Sequence, residues 1–457
     1  MPFQRPLYTA LVVVAVLALA IAGWHLARIA PIGTAYAAKT LCSGVFVSGR
    51  EPQPVIDEDI MAEVHPLLRL VTPQLDRDRQ RASARFLGFA AREAQYRPGL
   101  GCTLAIGRSA DELMRVTGAT ASPGPAEPLP VALPDASTDA ARLRAAIDAA
   151  FTEPDPRGKR RTRAVVVLHH GRIVAERYAP AFRPDTPQLG WSMTKTVTGA
   201  LAGVMVREGR LALDADRLLP QWRGAGDPRA AITLSQIMRM ITGLAFDETY
   251  GDPLSDVARM LLGVGDGAAL AAARPLVAPP GTVWAYSSGT SYLLARVLRE
   301  AAPGEALTLA RRGLFDPIGM RSAVMEADAA GTPVGAAYMY ASAHDWARFG
   351  QFLLQDGVWN GRRILPEGWV RTMSTLTPQS PRQDFGAHLW VRVPEPFNSA
   401  RMVDLPADAV HMSGHEGQFV SIVPSRALVV VRLGLSRPEP VWDHETFLAA
   451  VLAAFAP

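Results

Sequence analysis

Lysine is nearly missing from this sequence. Of its 47 basic residues only Lys39, Lys159 and Lys195 are lysines and all others are arginines, so a lysine at a given position carries information. Cysteine is as scarce, with Cys42 and Cys102 alone, both in the N-terminal region. Two such residues suit one disulfide in an oxidising compartment such as a periplasm, or two unrelated buried thiols, and pairing cannot be read from sequence. Runs of one charge are also lacking. The net charge is +4, but the basic residues lie scattered among acidic neighbours, which argues against a nucleic-acid partner. No internal repeat is evident. What is present is ordinary for a folded protein: 49% hydrophobic and 20% charged residues exclude a mainly disordered chain. A length of 457 residues allows two or three domains.

Between Arg5 and Arg28 lie 22 residues without a permanent charge, enough to span a bilayer, for which about 20 apolar residues are needed. Trp24 then falls at the membrane interface, where amphipathic rings are favoured. Ala35-Tyr36-Ala37 has the small-x-small form of a signal cleavage site but stands far beyond the apolar run, which favours an uncleaved anchor over a cleaved leader. Residues 1–30 are thus expected to hold the protein at the inner membrane with its bulk in the periplasm, or to release it there if cleaved. A small module is expected over 38–117, with an arginine-rich helical stretch from Arg77 to Glu93. A proline-rich linker is expected over 118–137, because prolines prevent a helix or central strand there. The remaining 138–457 reads as one domain. Asp139 to Phe151 is an amphipathic helix, Ala164 to Ala175 a hairpin, Gln418–Val423 and Leu428–Leu433 late strands, and Glu445–Phe455 a closing helix. Strands at both ends with helices between predict an α/β domain whose antiparallel sheet joins distant segments around an inserted helical lobe.

Three segments carry chemistry. Gly190 to Gly209 reads as an apolar helix with Ser192 at its start and Gly209 at its stop. Positions three apart share a helix face, so Ser192 and Lys195 point into one space. A serine hydroxyl needs a base to become nucleophilic, and a lysine serves once burial lowers its pKa well below about 10.4. With 21 serines and three lysines, chance supplies about 0.1 to 0.2 Ser-x-x-Lys matches, so the pair needs support beyond its spacing. The apolar helix supplies some, since a capping serine and a solvated lysine fit it poorly. The second segment, Pro280 to Thr290, is a turn leading into a helix near Ser291, from which the Tyr286 phenol can relay a proton. The third, His411-Met412-Ser413-Gly414-His415-Glu416-Gly417-Gln418, precedes the late strands. Its glycines allow close backbone approach, and the Gln418 amide is a candidate oxyanion donor beside that of Ser192.

In this order the three segments resemble the beta-lactamase and penicillin-binding-protein superfamily, whose signatures are Ser-x-x-Lys, Tyr-x-Asn and Lys-Thr-Gly. Gly190 to Lys195, Ile241 to Tyr250 and Tyr286 to Gly289 are most similar to its branch of 6-aminohexanoate-dimer hydrolases and related esterases, over roughly Val165 to Leu433. Phe315 to Met320 and Ala341 to Gly350 look like that branch too. The resemblance implies a beta-lactamase/transpeptidase-like α/β fold, a catalytic set of Ser192, Lys195 and Tyr286, and an acyl-enzyme on a small amide or ester. It also implies substrate contacts from Tyr250, Ser288, His415 and Gly417, with no cofactor and no metal. Two departures matter. Ser288 replaces the usual asparagine, and His415-Glu416-Gly417 replaces Lys-Thr-Gly, removing a permanent cation and turning the expectation from beta-lactams toward linear amides and esters. No carboxylate offers itself as a deacylation base.

Other readings remain. A catalytically inactive penicillin-binding-like protein recognising cell-wall peptide, or a D-amino-acid peptidase or beta-lactamase, would share the fold. An α/β-hydrolase is disfavoured because Thr194 replaces the second glycine of Gly-x-Ser-x-Gly. His411 and His415 make a poor zinc pair, since serine and glycine between them argue against a helix. Sequence leaves the oligomeric state open.

Overall fold

The computed structural model describes residues 4–116, 118, 127–133, 138–154, 158–399, 403–438 and 441–456. Its helices of at least nine residues and strands of at least four run in chain order: α1 (Gln4–Phe46), β1 (Val71–Asp76), β2 (Arg81–Phe86), β3 (Phe89–Arg97), β4 (Gly101–Leu104), α2 (Ala140–Ala150), β5 (Thr162–His169), β6 (Arg172–Tyr178), α3 (Met193–Arg207), α4 (Ser288–Ala301), α5 (Ala343–Leu354), β7 (Val410–Gly414), β8 (Gln418–Val423), β9 (Leu428–Gly434) and α6 (His444–Leu452).

The main sheet has the order β7-β8-β9-β5-β6, every neighbour antiparallel. The strands nearest the C-terminus therefore flank those that open the domain, as strands at both ends of the sequence predict. Alternation sorts the side chains into two layers. Val165, Val167 and Val430 face a core with α2 and α6, whereas Val166, Leu168, Val429 and Val431 face the larger core that holds α3, α4 and α5. Strands buried on both faces read as continuous apolar runs, as Val429-Val430-Val431 does. Between β6 and α5 the chain builds the helical lobe, with short helices such as Leu234–Met238 and Asp256–Leu262 beside α4.

The N-terminal region departs from expectation in two ways. Arg77 to Glu93 is not helical. It lies in an antiparallel meander of order β1-β2-β3-β4. Arg81-Ala82-Ser83-Ala84-Arg85-Phe86 buries Ala82, Ala84 and Phe86 and turns the residues between them outward. That period of two wins over the helical propensity of its alanines and arginines. The apolar helix also does not stop near residue 30, because α1 continues unbroken to Phe46. Its first part is exposed, with Leu11 to Trp24 uncovered, and its second part, including Ala35, Ala38 and Leu41, is core of the meander. The structure joins Cys42 on α1 to Cys102 on β4 by a disulfide.

Of the proline-rich stretch, 119–126 and 134–137 lie outside the described residues. The part between is docked rather than free. Leu129 is buried in the main core, Ile173 donates its amide to the Pro130 carbonyl, and Ala132 donates to that of Ile173.

A buried carboxylate fastens the meander to the lobe. Glu326 accepts from Lys39 Nζ, from Ser43 Oγ at 2.8 Å and from the Cys102 amide at 2.6 Å, and it is fully buried. Lys39 is one of the three lysines, and its nitrogen also lies 4.3 Å from the centre of the Tyr338 ring. Removing one partner of a buried pair strands the other charge. Glu326→Leu should therefore destabilise the protein by about 3–5 kcal/mol in denaturant unfolding followed by tryptophan fluorescence, and Lys39→Met in the same chain should recover part of that loss. Equal stability of the single variant and the wild type would contradict this role.

Candidate active site

The site is built where α3 begins. Trp191 has φ +47, a left-handed conformation that is costly for a bulky residue and is usually kept where surrounding structure imposes it for a purpose. The turn it makes sets Ser192 at the helix start, against Gly190. An added Cβ at Gly190 would fall 2.3 Å from Trp346, and one at Gly414 would fall 2.3 Å from the Gly190 carbonyl. Small residues thus let the end of β7 lie against the segment that carries Ser192. The Ser192 hydroxyl caps no backbone amide. It meets Lys195 instead.

Helix α3 is buried along Met193 to Met205, which takes Lys195 out of water. The Lys195 nitrogen lies 2.9 Å from Ser192 Oγ, 3.0 Å from Ser288 Oγ and 3.0 Å from the Ala336 carbonyl. The nitrogen donates toward Ser192, Ser288 and Ala336, and once it has lost a proton its lone pair faces the Ser192 hydroxyl and can accept that proton. Burial pushes the Lys195 pKa down to about 8, opposed by the attraction of Glu248. Tyr286 closes the other side. Its hydroxyl and that of Ser192 are hydrogen-bonded, and its ring centre lies 5.0 Å from Lys195 Nζ. Burial raises the phenol well above its ordinary pKa, so Tyr286 stays protonated where Lys195 titrates. Between the two, the lysine is the available base.

Glu248 is the residue that sequence reasoning misses. It is half-buried and accepts hydrogen bonds from both the backbone amide, at 2.8 Å, and the hydroxyl of Ser288. Burial raises its pKa and Lys195 lowers it. It sits just before Tyr250, inside the very segment that carries the family resemblance. Its isolation 40 positions from Ser288 leaves no local spacing to betray it. The order Glu248, Ser288, Lys195, Ser192 forms a continuous polar chain.

The remaining expected residues divide. The Tyr250 hydroxyl lies 3.5 Å from Ser288 Oγ, and its ring is 5.1 Å from that of His415, which in turn meets Trp191 edge-on at 5.4 Å. Ser288, Tyr250 and His415 therefore gather beside Ser192 and Lys195. Gly417 has φ +82, and an added Cβ would fall 2.6 Å from Arg432 Nη1, so its bare backbone makes room for the buried Arg432. Gln418 pairs with Gly414 across the β7–β8 turn, while its side-chain amide is bonded to the His415 carbonyl and to the backbone of Gly434. Glu416, also with positive φ, is buried and accepts from Trp191 Nε1 at 3.1 Å and from Arg437. His411 is hydrogen-bonded to Ser421 on the neighbouring strand, away from His415.

Comparison with known proteins places this geometry. The Beta-lactamase family profile matches residues 144–454. A 6-aminohexanoate-dimer hydrolase of Paenarthrobacter ureafaciens is 27% identical over 46% of this chain and 57% of its own length. Esterase EstB of Burkholderia gladioli is 32% identical over 40% of this chain and 52% of its own. The matched segment thus spans little more than half of each curated relative. Among solved structures, a Bacillus anthracis protein described provisionally as a 6-aminohexanoate-dimer hydrolase superposes with a TM-score of 0.55 at 21% identity, covering 74% of this chain and 89% of that one. That likeness concerns the fold.

The scarcity of lysine makes the site directly observable. With lysine labelled at its ε-carbon, NMR should show three signals, and that of Lys195 should titrate near pH 8. In Glu248→Gln, which removes the charge favouring the ammonium, the midpoint should move about one pH unit lower. An unmoved midpoint would show that Glu248 does not act on Lys195.

Proposed function

This chain belongs to the Beta-lactamase family, and we propose that it is a serine hydrolase that cleaves an amide or ester through an acyl-enzyme on Ser192. The observation that carries the reading is the contact of Lys195 Nζ with Ser192 Oγ at 2.9 Å in a site that lowers the lysine pKa to about 8. In the first half-reaction Ser192 Oγ attacks the substrate carbonyl and its proton passes to Lys195. The backbone amides of Ser192 and Gln418 are the proposed donors to the oxyanion, a role supported by their approach across Gly190 and Gly414. Tyr286 relays the proton from Lys195 to the departing amine or alkoxide. Water then attacks the acyl carbonyl, gives its proton to the same base, and Ser192 leaves with a proton restored. Glu248 acts through Ser288 and Lys195 as a positioning residue.

The substrate side of the reading rests on His415. Its imidazole packs against Tyr250 and edge-on to Trp191 where, by the resemblance, the superfamily carries a lysine, so the rim offers aromatic surface in place of a fixed cation. Linear esters and amides fit that surface better than a carboxylate-bearing beta-lactam.

We also infer that α1 is an uncleaved anchor with the catalytic domain in the periplasm. Among the described residues one helix is long and apolar enough to cross a membrane. The Ala35-Tyr36-Ala37 site is within its buried part, with Ala35 and Ala37 fully covered and the Tyr36 hydroxyl donated to the Asp59 carbonyl at 2.7 Å. Cleavage there would take residues 30–37 from the core of the meander.

Steady-state kinetics tests the function. For p-nitrophenyl acetate, Ser192→Ala and Lys195→Met should each lower kcat/KM by at least about 1,000-fold, and unchanged turnover in either would overturn the reading. The pH dependence has a definite sign. Neutral Lys195 is the base, so kcat/KM should rise tenfold per pH unit and level off above about 8. A profile that falls over that range would contradict it. Nitrocefin should be turned over more slowly than linear esters.

A further inference from the structure

A cavity of about 350 Å³ lies between α1 and the helical lobe. Its volume is in the range of small-molecule sites. Most of its wall is apolar, with Ile29 and Ile32 on α1, Leu68 beside the meander, and Val257, Leu261 and Leu262 on the short helix Asp256–Leu262, while Glu63, Glu416 and Arg437 also line it. Two further facts give it a direction. At one side the lining begins at Ile29, directly after the apolar stretch of α1 that is exposed from Leu11 to Trp24, where the Arg28 guanidinium covers the Trp24 ring at 4.7 Å. At 1.5 Å per residue, the cavity starts within about two helical turns of that stretch. At the other side its wall is Trp191, Tyr250 and His415, and the Tyr250 hydroxyl is 3.5 Å from Ser288 Oγ, itself bonded to Lys195.

We propose that the substrate is a membrane-borne amphiphile, a long-chain ester or amide, whose apolar chain occupies this cavity while its carbonyl reaches Ser192. An apolar cleft would otherwise stand open beside a bilayer, and a chain leaving the hydrocarbon layer finds there a second apolar environment that ends at Trp191, the residue before Ser192. The helix that anchors the protein is then also one wall of its substrate site, which explains why α1 runs unbroken from the exposed stretch into the core of the meander. Tyr250 and His415 separate the chain from the polar centre, and their rings meet the carbon next to the carbonyl. This inference rests on Ser192 being the nucleophile, and its test keeps the two apart.

The test uses the full-length protein in nanodiscs with p-nitrophenyl esters from acetate to decanoate. The wild type should show kcat/KM rising about two- to fourfold per added methylene, the range expected as each leaves water for an apolar wall. Gly33 lines the cavity, and an added Cβ there makes only an ordinary 3.5 Å contact with Leu68, so Gly33→Phe can fill the space. It should lower the octanoate-to-acetate ratio of kcat/KM at least tenfold, and Ala258→Trp, from the opposite wall, should do the same. Acetate turnover with a flat chain-length profile, or with a ratio that neither variant changes, would overturn this inference and leave the hydrolase intact. Should no ester be turned over, a diazirine-bearing long-chain acyl amide decides the matter by crosslinking. Adducts on peptides covering residues 29–36 and 257–262 that disappear in Gly33→Phe support the cavity. Adducts confined to residues 10–28 overturn it.

Discussion

An amine buried among two hydroxyls, a carbonyl and an aromatic ring loses most of its hydration, and the charged form of Lys195 loses most. The desolvation of one cation costs several kcal/mol unless the surroundings compensate it. In this site they compensate it in part: Ser192, Ser288 and Ala336 satisfy the nitrogen, and Glu248 offsets some of the penalty on the ammonium. The balance leaves a pKa of about 8, close enough to neutrality that the lysine exchanges a proton readily. Much of the domain serves that balance. Helix α3 is buried on all sides, α4 brings Ser288 in at its first residue, and the lobe supplies Glu248 from a separate loop. A guanidinium would not titrate there, which accounts for a lysine in a chain that otherwise uses arginine.

The N-terminal region and the catalytic domain share more than a covalent connection. Lys39 on α1 meets Glu326 from the lobe, and Arg437, just beyond β9, meets Glu416 while donating to the carbonyls of Glu58, Asp59 and Ala62. By the resemblance, Glu416 is the middle residue of the triplet that stands for Lys-Thr-Gly. In the structure it is a buried carboxylate paired with Arg437, the arginine that also reaches the N-terminal region.

Legibility in the sequence follows the range of the interaction. Ser192 and Lys195 stand three apart on one helix, and the apolar runs of β5, β8 and β9 announce a sheet buried on both faces, so these are readable from neighbours alone. Glu248 is not, because its partner Ser288 is 40 positions away and nothing in the sequence brings them together. Lys39 carries the same signal as Lys195, a lysine where arginine is the rule, but its partner Glu326 lies 287 positions off. Arg77 to Glu93 misleads for another reason. Its alanines and arginines favour a helix residue by residue, while the alternation that packs them against α1 acts only in the assembled meander. Gly417 is expected as a substrate contact because glycine permits close approach, and in the structure Arg432 approaches it closely.

The central claim is that Ser192 is the activated nucleophile, and mass spectrometry of the intact protein after reaction with a fluorophosphonate tests it most directly. The account predicts one adduct, on the peptide containing Ser192, forming more slowly as the pH falls below about 8 and absent from Ser192→Ala. An adduct on a different serine, or none on the folded protein, would contradict it.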